Sequence, residues 1–70
     1  SEMNNGEMEE KYYLESYNWD KTNVNAMNGL AAYYKRTGKT DKAIMYLEKI
    51  LIINPTDEVA VMRLDSLKGN

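Results

Sequence analysis

The 70-residue chain contains neither cysteine nor histidine. The first absence rules out a disulfide framework, and the two together leave only carboxylates for a zinc site. No metal and no cofactor is expected. A glycine-rich phosphate loop is also missing. The single "GKT", residues 38–40, lacks the upstream glycine of a P-loop, so Gly38 reads as a helix-ending turn. Glu9 and Glu10 are adjacent, so they leave a helix on different sides and make no carboxylate pair. An enzyme is not expected. Long apolar runs are absent as well. Ile50 to Ile53 is a run of four, against roughly 20 residues needed to cross a bilayer. No signal-peptide pattern is visible, and the chain reads as soluble. Lack of cysteine fits any compartment, so localisation stays open. Nine basic against eleven acidic residues give a net charge of −2. That balance disfavours nucleic acid or an anionic membrane as the main partner.

Four helical patterns are present after a polar stretch, residues 1–6, that reads as a tail or linker. The first spans residues 7–19, with Glu7, Glu9 and Glu10 in its opening turn and an apolar face of Met8, Tyr12, Tyr13 and Tyr17. Thr22 or Asn23 caps the second, whose face is Met27, Leu30, Ala31 and Tyr34. Lys35 and Arg36 occupy its last turn and Gly38 follows. Thr40 and Asp41 open the third, which carries Ala43, Ile44, Leu47, Ile50 and Leu51 and stops before Pro55. Thr56 is expected to cap the fourth, with Val61, Leu64 and Leu67 inward and Gly69 at its end.

The run Ile50–Ile53 before Asn54-Pro55 could equally be a short buried strand. An internal repeat decides. An offset of 34 residues places Tyr12 on Tyr46, Thr22 on Thr56, Ala26 on Ala60 and Leu30 on Leu64. The run then aligns with Ser16-Tyr17-Asn18-Trp19, which continues an amphipathic helix. Ile50, Leu51 and Ile53 are expected inward, and Ile52 outward. A helix–turn–helix unit at this period marks a solenoid.

The pattern resembles the tetratricopeptide repeat family. Its large–x2–Leu–small–x2–Tyr element appears as Met27, Leu30, Ala31 and Tyr34. Its second element appears as Ala43, Leu47 and Pro55, with Gly38 in the turn between. Met27 stands for the usual tryptophan, Ala31 for the usual glycine, and Glu9 for a small alanine. The resemblance implies an all-α fold of four antiparallel helices stacked as a short helix–turn–helix solenoid. Residues 24–57 would form a complete repeat, flanked by half repeats at 7–23 and 58–70.

In that family the first helix of each repeat lines a concave groove that receives a peptide or a partner helix. Carried over, the partner-binding stripe is Asn25, Asn28, Ala32, Lys35 and Arg36, continued by Val59, Met62, Arg63 and Ser66. The leading expectation is therefore a protein-interaction or scaffold module. Only Arg63 fits the family's clamp for chaperone carboxylates, so that specialisation is not expected. Gly29 costs about 0.5–1 kcal/mol in a helix interior, which points to a close approach there. The competing expectation is self-assembly through exposed apolar residues, with Leu14, Met45 and Ile52 as interface candidates. A solenoid of about two repeats is short of the usual three. A homo-oligomer or a piece of a longer array is therefore expected, and Ser1, which is not an initiator methionine, reads as the start of a processed or cut chain. A weaker third reading is RNA binding through Tyr33, Tyr34, Lys35, Arg36, Lys39 and Lys42. The tyrosines and Trp19 are expected mainly to fill space between helices.

Overall fold

The computed structural model of the protein describes residues 5–69. Four helices follow in order, α1 (Asn5–Trp19), α2 (Val24–Arg36), α3 (Thr40–Ile53) and α4 (Glu58–Lys68), with no strand among the described residues. The run Ile50–Ile53 closes α3 as a helix. Residues 1–4 of the expected tail lie outside the described residues, while Asn5 and Gly6 already belong to α1.

Two of the helix starts are the same structure written twice. Asn23 holds extended backbone (φ −76°, ψ 96°) and its side-chain oxygen accepts from the Ala26 N–H at 3.1 Å. Thirty-four residues on, Asp57 (φ −72°, ψ 100°) accepts from the Ala60 N–H, also at 3.1 Å. Each such cap satisfies a donor the helix cannot, worth about 1 kcal/mol. Thr56 is therefore not the cap. Its hydroxyl donates to Asn54 Oδ1 at 3.2 Å, as Thr22 donates to Asp20 Oδ1 at 2.6 Å. These bonds brace the turn before each helix. The Thr22 hydroxyl and then its backbone N–H hold the Asp20 carboxyl below its ordinary value of 3.8.

The other turn, between α2 and α3, needs glycine. Gly38 has φ +83°, a left-handed conformation that a Cβ makes costly. It lets the Lys39 N–H reach back to the Tyr34 carbonyl at 2.7 Å and end α2.

Each helix packs on the next, α1 on α2, α2 on α3 and α3 on α4, and Tyr17 of α1 also reaches Tyr46 of α3. The result is a flat stack of helical hairpins with extents of 41 × 28 × 15 Å. Its core is Met27, Leu30, Ala31, Tyr33 and Tyr34 of α2 against Ala43, Tyr46, Leu47 and Ile50 of α3. From α1, Tyr13, Leu14 and Tyr17 pack on that core, and from α4, Ala60, Leu64 and Leu67.

The expected orientations of five residues are corrected. Leu14, expected on an open face, is half-buried against the core, while Met8 and Tyr12 of the expected inward face are exposed. The reason lies at Gly29. A Cβ there would sit 2.5 Å from the Tyr13 ring, so the missing side chain is what lets Tyr13 dock on α2. That docking sets the rotation of α1. Val61 is exposed and Ala60 buried in its place, because α4 has a helical neighbour only on the α3 side. Ile53, expected inward, is exposed at the last residue of α3, where no further helix covers it.

Candidate interaction groove

A cavity of about 370 Å³ lies between α2, α3 and α4. Ala31 and Ala32 of α2, Leu47 of α3 and Leu67 of α4 supply its apolar wall. Lys35 and Arg36, one turn below Ala31 and Ala32, and Arg63 of α4 supply its charge. No carboxylate lines it. Lys35 and Arg63 have no carboxylate partner among the described residues, whereas Arg36 pairs with Glu9 of α1. Arg36 also lies over the Tyr33 ring, 5.7 Å from its centroid. Such a lining can receive an apolar side chain together with a negative group.

Helical spacing brings these residues together. Positions 31, 32, 35 and 36 share one side of α2, and 63 and 67 one side of α4. Of the nine residues expected to bind a partner, Ala32, Lys35, Arg36 and Arg63 line the cavity. Asn25, Asn28, Val59, Met62 and Ser66 do not, although Asn25, Val59, Met62 and Ser66 are exposed. Asn28 is half-buried, and its side-chain oxygen is buried without a hydrogen-bond partner among the described residues. That oxygen is closed to solvent, so Asn28 offers no acceptor at the groove surface. Ala31, Leu47 and Leu67 were not among the expected site residues. Their apolar character assigned them to the core, and they serve as core and groove wall at once.

The interface candidates divide. Met45 and Ile52 are exposed, Ile52 at 80%, but Leu14 is not available. The segment considered for RNA presents no open ring. Tyr33 and Tyr34 are buried, and the Lys39 and Lys42 ammonium groups lie over the Tyr34 ring at 6.0 and 5.2 Å. Tyr34 also stacks on Tyr46 (5.9 Å, 17°), which meets Tyr17 edge-on at 5.6 Å. This aromatic array ties α1, α2 and α3 together and fills the space between them as expected. The Tyr34 hydroxyl donates to Glu10 Oε2 at 2.7 Å. Burial, and then that hydrogen bond, push its ionisation above the ordinary value of 10.0. Burial raises Tyr46 too. Tyr12 and Trp19 of α1 are the exceptions to interior packing, both exposed.

No cluster of acidic residues among the described ones could hold a metal ion. No helix among the described residues is long and apolar enough to cross a membrane. Comparison with protein-family models, with curated proteins and with solved structures gives no match.

Proposed function

We propose that this chain is a non-catalytic, tetratricopeptide-like interaction module that captures a peptide or partner helix in the groove between α2 and α4. The observation that carries this reading is the pairing of an apolar wall with Lys35, Arg36 and Arg63 and no carboxylate. A partner segment that places one apolar and one acidic side chain about a helical turn apart would satisfy both. The 34-residue repeat and its duplicated turns support the family resemblance. The absence of histidine and cysteine from the sequence supports a role without catalysis.

A displayed random-peptide selection tests the reading. Enriched peptides should carry Asp or Glu beside an apolar residue. Their affinity should fall at least about tenfold, about 1.4 kcal/mol, on Arg63→Glu and on Lys35→Glu. It should stay unchanged on Ile52→Lys, since Ile52 lies outside the groove. Peptides that bind all these variants equally would remove the groove as the binding site.

A further inference from the structure

The face of α1 turned away from α2 carries Met8, Tyr12, Glu15 and Trp19, spaced 4–3–4 along the helix. Met8 is 57%, Tyr12 66% and Trp19 89% exposed. Two shallow hollows run along this line, one bounded by Met8, Lys11, Tyr12 and Glu15 and the next by Glu15, Asn18 and Trp19. A 4–3–4 alternation is the seam spacing of paired helices. The Tyr12 ring is already held edge-on against Tyr13 at 5.3 Å, so less side-chain freedom remains to be lost on contact.

We propose that this stripe is a homodimer seam on which α1 of a second copy lies antiparallel. Charge chooses both the occupant and the direction. A parallel copy would set Glu15 against Glu15, two like charges in an apolar seam. An antiparallel copy sets Met8 opposite Trp19 and Tyr12 opposite Glu15. The Tyr12 hydroxyl then donates to the partner carboxylate, and the Lys11 ammonium one residue away offsets its charge. Sulfur against an indole edge is a favourable contact at the two ends. A two-fold axis repeats every one of these contacts, so the stripe is complementary to itself. One helix face is small beside a standard interface, so the dimer is weak and concentration-dependent. The groove between α2 and α4 takes no lining residue from α1, and α1 meets it only through the Glu9 pair with Arg36.

The chain's single tryptophan is Trp19, which makes the seam its own reporter. Sedimentation of the 70-residue chain over rising concentration should show monomer passing to dimer, with Trp19 emission moving to the blue in step. Tyr12→Lys should weaken the dimer at least about tenfold and leave the far-ultraviolet helical signal unchanged, because Tyr12 is exposed. The chain has no cysteine, so Tyr12→Cys and Glu15→Cys each introduce a unique thiol. Mixed and oxidised, the two variants should give mainly the hetero-disulfide. Three results would overturn the proposal. One is a monomer with constant Trp19 emission at all concentrations, which would leave the stripe to a helix of another chain or segment. Another is a dimer abolished by Ile52→Lys and indifferent to Tyr12→Lys. The last is a mixture dominated by the two homo-disulfides.

Discussion

The inner hairpin, α2 and α3, and the outer helices, α1 and α4, are built from similar lengths of chain but are buried very differently. Six residues of α2 and four of α3 are buried, against two of α4 and none of α1 among the residues whose burial is described. Composition alone does not explain this, since α1 carries three tyrosines, a tryptophan, a leucine and a methionine. Position in the stack does. An inner helix has a neighbour on each side, whereas an outer helix has one. Apolar residues on its second side then stay in water whatever their type. Burial in a one-dimensional stack follows the count of neighbours first and hydrophobicity second.

The sharpest way to break this contrast is truncation in the two regions. Leu30→Ala or Leu47→Ala, both fully buried, should cost about 2–5 kcal/mol. Val61→Ala in α4 should stay within about 0.5 kcal/mol. Urea unfolding measures both. Equal losses would mean that α4 is covered by something in solution. Amide exchange should sort the helices the same way, with α1 and α4 opening before α2 and α3.

A smaller effect probes the seam between the regions, where Tyr13 lies over Gly29. Gly29→Ala should destabilise by about 1–3 kcal/mol through overpacking. In a Tyr13→Ala background the same change should instead stabilise by up to about 1 kcal/mol, the ordinary helix gain of alanine over glycine. A double-mutant cycle that shows simple additivity would mean the ring is not what holds the glycine position open.

The smallest effect is pH-dependent and belongs to the aromatic array. Burial and the Glu10 hydrogen bond favour the neutral Tyr34 phenol in the folded chain, so its ionisation lies above 10.0. The unfolded chain ionises first as pH passes 10.0, so this contribution is complete below that value and declines above it. Tyr34→Phe should start less stable near neutrality, by about 1–2 kcal/mol, and lose stability less steeply above pH 10.0. Thermal unfolding between neutral and strongly alkaline pH checks the slope. Identical slopes would place the alkaline sensitivity elsewhere.

Helix identity was legible in this sequence because caps, glycine turns and the 34-residue offset all agree. The strand-like run Ile50–Ile53 was resolved by that offset alone. Orientation was less legible at the ends of the stack. Ala60 and Val61 are both apolar and adjacent, and a period of 3.6 accommodates either beside Leu64. Only the location of α3 selects Ala60. Likewise, nothing local in α1 shows that Tyr13 rather than Tyr12 turns inward; that depends on a glycine sixteen residues later. The cationic members of the groove were legible from helix-face spacing. Its wall was not, because Leu47 and Ala31 carry no mark that separates a core residue from a groove residue.

Helix packing that runs mainly between helices that follow one another also bears on how the chain reaches this state. No pairing in the stack requires two ends of a long loop to meet, so the entropy of closure is that of a single hairpin. Chains with so local a contact map form their structure in roughly microseconds to milliseconds. Once the α2–α3 hairpin has formed, it offers α1 and α4 a ready template, and either can dock without waiting for the other.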